Sequence, residues 1–242
     1  MSGHSKWSTI KRKKAAVDAK RGKIFTTLIK EMTIAAREAG GDQSSNPRLR
    51  QAVSSARDAN MPLDNIKRAI MKGTGELPGV SYEECTYEGF GPGGVAIFME
   101  VLTDNKNRTV AEIRHLITKY GGNLGENGSV SWMFDKKGQI IISSSGQNED
   151  NVFEDSISAG AEDFDVDGDS FIVNTDPLEI MNIRKALEDK GHIIDSAKVE
   201  MLPKDLHRVD KDKSEKALLL LEIIEDHEDI KSVYTNLDFE DE

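Results

Sequence analysis

The order of apolar segments after residue 138 constrains the fold of this chain more than any single motif. Beyond Lys136-Lys137-Gly138 the periodicity predicts strand 139–143, helix 149–159, strand 162–167, strand 170–174, helix 177–190 and strand 193–201. That β-α-β-β-α-β series is the ferredoxin-like split pattern, complete in itself. Beyond Pro203 there is one helix, 214–225, and one strand, 231–237, too little to bury a core alone. Upstream, Val95 to Leu102 (VAIFMEVL) is a nearly continuous apolar run, as expected of a strand covered on both faces. A helix over 109–120 and a second strand over 129–134 come next, and this segment lacks a helix and a strand. The two incomplete pieces therefore belong together. The expected fold class is α+β, with a discontinuous middle domain (76–134 plus 205–242) and a ferredoxin-like domain (135–204) inserted into it.

The first 75 residues read as a small helical domain. Phe25, Leu28, Ile29, Met32, Ala35, Ala36 and Ala39 form one stripe, ended by Gly40-Gly41. Asn46-Pro47 predicts an N-cap followed by proline in the first turn, and Leu49, Ala52, Val53, Ala56 and Ala59 carry the next buried face. A third helix runs from Pro62 through Ile66, Ala69 and Ile70 to Gly73-Thr74-Gly75. The alanine-rich stripes imply helices that approach closely. Residues 11–21 predict a further helix carrying cations round most of its circumference.

Charge separates this domain from the rest. Residues 1–75 hold sixteen Lys and Arg against six Asp and Glu, a net of +10, whereas residues 76–242 carry −21. Eight cations fall within eighteen residues: Lys6, Lys11, Arg12, Lys13, Lys14, Lys20, Arg21 and Lys23. Such a segment can release counterions from a polyphosphate, while an acidic body limits how much backbone is covered. Trp7 stands beside these cations, where an indole either stacks on a base or packs inside.

No apolar run approaches the ~20 residues needed to cross a bilayer, and no apolar stretch follows the N-terminal cations as in a secretory signal. One cysteine, Cys85, excludes an internal disulfide and any multi-Cys zinc site. A cytoplasmic, monomeric protein is expected, with no membrane partner. The five histidines show no paired-ligand spacing, so no metal and no cofactor is expected. Gly89-Phe90-Gly91-Pro92-Gly93-Gly94 precedes a buried strand and lacks the Gly-Lys-Ser/Thr ending, which makes it a strand-to-strand turn before a nucleotide loop. Asp163, Asp165, Asp167 and Gly168 mimic half of a calcium loop, but Asn174 stands where a bidentate carboxylate is required, and Asp167-Gly168 reads as a hairpin turn. His115 reads as a helix-surface residue. No nucleophile elbow occurs, and Cys85 has no base beside it in sequence. The stretch from Asp229 to Glu242 reads as a solvated acidic end.

Between the buried strand and the following helix lies the polar loop Asp104-Asn105-Lys106-Asn107-Arg108. Asn107 reads as the helix cap, and the helix N-terminus with Arg108 could accept a phosphate. Asn105, Asn107 and Arg108 form a candidate partner-contact loop.

Gly3-His4-Ser5-Lys6-Trp7 ahead of the lysine-rich stretch resembles the opening of the YebC family, relatives of the mitochondrial translational activator of cytochrome oxidase. The resemblance continues through Ala59-Asn60-Met61-Pro62, Tyr87-Glu88-Gly89-Phe90-Gly91-Pro92-Gly93-Gly94, Thr103-Asp104-Asn105-Lys106-Asn107-Arg108-Thr109 and Gly121-Gly122-Asn123-Leu124 to Gly128-Ser129-Val130-Ser131-Trp132. It implies a three-domain α+β architecture, no enzyme activity, DNA binding with transcription control in some members and ribosome-associated work in others. The expected function is thus a non-enzymatic, nucleic-acid-binding regulator, a DNA-binding transcriptional regulator in the first instance. The alternative is a ribosome-associated translation factor that binds rRNA or tRNA and relieves stalling. Candidate nucleic-acid contacts are Lys6, Trp7, Lys11, Arg12, Lys13, Lys14, Lys20, Arg21 and Lys23.

Overall fold

The computed structural model describes Trp7 and residues 21–238. The expected cationic helix over 11–21 lies outside these residues except for Arg21. Two compact units emerge: one spans Trp132–Leu206, and the other joins the chain before it to the segment that begins at His207. The fold is α+β in three domains, each with its own hydrophobic cluster.

The helical domain holds α1 (Arg21–Ala39), α2 (Pro47–Asp58) and α3 (Leu63–Thr74). Asn46 caps α2 by accepting from the Leu49 amide at 3.0 Å, and it also donates to the Ala35 and Gly40 carbonyls at 2.8 Å. One side chain thus fixes both the end of α1 and the start of α2. Met32, Ala35 and Ala36 pack with Leu49, Val53, Ala56, Ile66 and Ala69. The close approach expected from the alanine stripes is explicit at Gly73. A Cβ there would stand 2.5 Å from the Thr33 carbonyl oxygen and 2.7 Å from Ala36 Cβ, so α3 meets α1 backbone to backbone.

In the middle domain β1 (Glu83–Phe90) and β2 (Ala96–Thr103) form an antiparallel hairpin. The glycine-rich turn between them is the strand-to-strand turn expected. Gly93 and Gly94 adopt φ of +80° and +81°, a region open to glycine at no steric cost. Helix α4 (Lys106–Lys119) and the short β3 (Asn123–Leu124) come next. After the inserted unit the chain adds β8 (His207–Arg208), α7 (Lys211–Asp226), β9 (Ile230–Thr235) and β10 (Leu237–Asp238). The sheet order is β3-β1-β2-β9. Strand β9 pairs with β2, Ile97 opposite Thr235 and Met99 opposite Val233. Ile97, Met99 and Val101 pack against Ile113 and Ile117 of α4 and Leu220, Leu221 and Ile224 of α7. Every other β2 residue except Glu100 is buried as well, which is why the run reads as continuously apolar.

The expected strand over 129–134 does not form. Residues Ser131–Met133 make a 3-10 turn, and only Phe134 enters a strand, as the first residue of β4 (Phe134–Ser143). The buried Glu88 carboxylate accepts from the amides of Gly128, Val130 and Ser131 at 2.8, 2.7 and 2.8 Å, which removes them from any sheet ladder.

The inserted unit consists of β4, α5 (Glu149–Ala159), β5 (Asp163–Asp167), β6 (Ser170–Thr175), α6 (Ile180–Asp189) and β7 (Ile194–Pro203). Its strand order, β5-β6-β4-β7, is that of a ferredoxin-like sheet. Gly168 and Asp169 turn β5 into β6 as expected, with Asp167 opposite Ser170. Ile140, Ile142, Phe171, Val173 and Ala197 face Val152, Ile183 and Leu187 of the two helices. The register pairs Phe134 with Pro203, so the insert leaves beside the point at which it enters.

This geometry sets an expectation for deletions. Replacing residues 135–204 by a short Gly/Ser linker leaves β2 strongly protected from hydrogen exchange, because the insert has its own core. Deleting residues 207–242 removes α7 and β9 and strips that protection. Full protection of residues 96–103 in the deletion protein would show that the two halves are not one domain.

Candidate functional site

Most of the cations that suggest a binding function, Lys6, Lys11, Arg12, Lys13, Lys14 and Lys20, lie outside the described residues. Arg21 opens α1, and Lys23 is half-buried in its first turn. Trp7 is only 2 % exposed and packs in the middle-domain core with Val95, Ile97 and Leu220. A buried indole has no open face for a base, so the stacking role does not fit. Burial of apolar aromatic surface decides its position.

The polar loop after β2 is built around the carboxylate of Asp229. That residue is 2 % exposed, although its acidic neighbours in sequence predict a solvated position. Its Oδ1 accepts from Lys30 Nζ of α1 at 2.8 Å. Its Oδ2 accepts from Arg108 Nη2 at 2.9 Å, Thr109 Oγ1 at 2.8 Å and Thr103 Oγ1 at 3.1 Å. Lys30 Nζ completes its shell with the carbonyls of Leu102 and Glu228 at 3.0 and 3.1 Å. Burial alone pushes the Asp229 carboxyl up. Hydrogen bonds from Lys30, Arg108 and Thr109, with the Lys30 charge, outweigh that and hold it well below the usual carboxylate range.

The helix cap is Asn105 rather than Asn107. The Asn105 side chain accepts from the Arg108 amide at 3.1 Å, and its own amide donates to Thr103 Oγ1 at 2.9 Å. The helix consequently starts three residues earlier than its apolar face suggests, and Asn107 stands exposed in its first turn. Arg108 is less available to an anion than expected, because its Nη2 is shared by Asp104 at 2.8 Å and Asp229. Around this anchor, Glu83, Thr103, Asp104, Asn105, Lys106 and Asn107 line a shallow polar depression. It presents amide, hydroxyl and charged groups on a backbone fixed from below, which suits recognition more than catalysis.

A second ionic knot also holds α1. Arg48 of α2 reaches Glu31 and Glu38 of α1 at 2.8 Å and Glu84 of β1 at 2.7 Å. Lys231 of β9 meets Glu31 at 3.2 Å and Glu84 at 3.6 Å. Burial raises the Glu31 carboxyl, but the charge of Lys231 and the Arg48 hydrogen bond more than reverse this and lower it.

Other candidates lose chemical roles. Burial pushes the Cys85 thiol up, away from the thiolate a nucleophile needs. In the glycine-rich turn, the Gly91 amide donates to Val95 and the Gly94 amide to Gly91, so neither is directed at a ligand. His115 is exposed on α4, as expected. No described helix is long and apolar enough to cross a membrane.

Removing the Asp229 charge should leave Lys30 buried without a counter-ion. Asp229→Asn is expected to destabilise the protein by about 3 kcal/mol or more in urea unfolding at neutral pH. Because the folded carboxyl is depressed, its contribution is fully present above pH ~4 and fades as pH falls toward the folded value. The gap between wild type and variant therefore narrows only in acid. A gap independent of pH down to full protonation would refute the charge argument.

Comparison with known proteins agrees with this architecture. Residues 5–76 match the model for the TACO1/YebC protein N-terminal domain, and residues 82–237 match that for the TACO1/YebC second and third domain. A protein of Dictyoglomus turgidum is 55 % identical over 243 aligned residues, covering all of this chain and 98 % of its own. One from Syntrophus aciditrophicus is 56 % identical, covering all of this chain and 97 % of its own. Both are named "probable transcriptional regulatory protein". The crystal structure of a conserved hypothetical protein, Aq1575 from Aquifex aeolicus, superposes with a TM-score of 0.86 at 41 % identity, covering 93 % of each chain. With a shared three-domain fold and family models spanning nearly its whole length, this chain belongs to the TACO1/YebC family.

Proposed function

We propose that this protein is a non-enzymatic, nucleic-acid-binding regulator of gene expression, acting in the cytoplasm on transcription by binding DNA. The observation that carries the reading is the concentration of eight cations between Lys6 and Lys23 in a chain whose net charge is −11. An acidic protein approaches a polyanion only through such a localised positive segment. The folded body supports the same division of labour. Lys30, Arg48, Arg108 and Lys231 are all neutralised by internal carboxylates, so they serve cohesion rather than phosphate binding. The relatives' names point to transcription as the process regulated.

A second reading, a ribosome-associated translation factor, is favoured by the loop at 104–108. The side chains of Arg108 and Thr109 are held by a buried carboxylate while Asn107 stays exposed, an arrangement suited to reading the shape of a folded RNA.

Reversing charge at Lys11, Arg12, Lys13 and Lys14 is expected to abolish binding to duplex DNA with circular dichroism intact. Residual binding should show a salt slope reduced by roughly three to four, since each lost phosphate contact contributes about 0.7 to 0.9. Unchanged affinity and slope would remove the segment as the binding element. Alanine at Asn105, Asn107 and Arg108 separates the two readings. The lost cap costs about 1 kcal/mol, and the loss of Arg108 from Asp229 adds to it. On the transcriptional reading duplex binding survives this change and ribosome co-sedimentation, if present at all, is unaffected. Selective loss of co-sedimentation would instead establish the translational one.

A further inference from the structure

The solvent face of α3 and the last turn of α2 carry a group of cations with a different character from those inside the domain. Arg57, Lys67, Arg68 and Lys72 are all exposed, and none has an ion-pair partner among the described residues. Asp64 is the one acidic residue of α3, and it sits in the first turn. Arg48, nine positions before Arg57, contrasts with them by taking three carboxylates. Between residues 57 and 72 four cations stand against Asp58 and Asp64, a net of +2, in a chain whose acidic residues outnumber its basic ones by 43 to 32. Other exposed cations without an ion pair are sparser: Arg114 and Lys119 share α4, while Lys185 and Lys198 are each the one such cation of their element.

The group is also held in place. Gly73 seats α3 against the backbone of α1. The turn from α2 to α3 is closed by Asn60 at φ +58°, by its amide donating to Arg57 O at 2.8 Å, and by the Met61 amide donating to Ala56 O at 2.8 Å. Met61 itself is buried in the helical core. Arg68 and Lys72 lie one turn apart, about 6 Å along the helix axis, with Lys67 beside them. Cations fixed on a rigid face lose less freedom on meeting a charged lattice than the same side chains on a flexible chain.

We infer that Arg57, Lys67, Arg68 and Lys72 form a second phosphate-contact surface, which docks the sugar-phosphate backbone of a nucleic acid independently of the cations between Lys6 and Lys23. The inference rests on the nucleic-acid reading proposed above and adds the place on the folded domain where the backbone lies. The contacts are charge contacts to phosphate, so they position the nucleic acid and carry no base sequence.

The test uses the full-length protein with Arg57→Gln, Lys67→Gln, Arg68→Gln and Lys72→Gln combined. Fluorescence anisotropy against duplex DNA and single-stranded RNA is followed between about 50 and 300 mM salt. A control with Arg114→Gln, Lys136→Gln, Lys185→Gln and Lys198→Gln makes the same change in net charge. On whichever probe the wild type binds, the α2–α3 variant is expected to lose roughly three from the salt slope and about tenfold or more in affinity near 100 mM. The control keeps its slope within about one of wild type. The charge-preserving Arg57→Lys, Arg68→Lys variant keeps the wild-type slope, which separates lost phosphate contacts from a packing defect. The probe that responds identifies DNA or RNA as the backbone held. Wild-type slope in the α2–α3 variant, or an equal loss in the control, overturns the surface while leaving the nucleic-acid reading intact. A wild-type protein that binds neither probe overturns that reading and the surface with it.

Discussion

The Asp229 carboxylate and the Lys30 ammonium are the interaction on which the rest of the larger unit depends. They join a helix near the start of the chain to a turn near its end, and both are buried. Taking two such charges out of water is costly, and mutual attraction alone does not recover that cost. Here all three ammonium protons are taken, by the acid and by the carbonyls of Leu102 and Glu228, and the acid accepts further from Thr103, Arg108 and Thr109. The arrangement is tolerable because both charges are hydrogen-bonded several times over, and those bonds fix where α1, the end of β2 and the start of α4 must lie. A looser packing of any of these would leave an unsatisfied charge inside.

The same principle governs how the protein manages its cations. The Arg48 and Lys231 knots draw α1, α2, β1 and β9 together through carboxylates at 2.7 to 3.6 Å. Cations used in this way serve cohesion, and a phosphate would have to displace an existing partner. Positive charge available to a polyanion is therefore confined to a few places in a chain that is acidic as a whole. The exposed loop at Asn107 is a different kind of surface, polar rather than cationic and stiff because its cap and its buried acid are both fixed.

The inserted unit makes few demands on its host. It enters at Phe134 and leaves at Pro203, paired residues of adjacent strands, and its cluster of Ile140, Ile142, Phe171, Val173 and Leu187 is its own. A domain whose ends lie side by side can be accommodated between two halves of another without disturbing the hydrogen-bond ladder of either. The β9 strand can then return to β2 across a gap of more than a hundred residues in sequence.

Much of this is legible in the sequence. The three stripes of the helical domain, the Asn46-Pro47 start, the buried run at 95–102, the β-α-β-β-α-β order and the hairpin at Asp167-Gly168 follow from periodicity and turn chemistry, which act over a few residues. Strand β1 carries Glu83, Glu84, Thr86 and Glu88, and only the glycine turn after it implies its existence. Asn105 and Asn107 are both good caps, and the choice between them depends on Thr103 receiving the Asn105 amide. Trp7, Glu88 and Asp229 illustrate the remaining limit. Beside lysines, Trp7 looks like a contact residue, and in an acidic stretch Asp229 looks solvated, yet both are buried. Glu88 looks like one more surface acid, yet it takes three amides and so prevents the strand expected at 129–134. Local patterns fix which segments are helices and strands because backbone preference and side-chain spacing are properties of neighbouring residues. Whether a polar or aromatic side chain is buried depends on the groups that residues far away in sequence bring to it, and only the tertiary structure decides that.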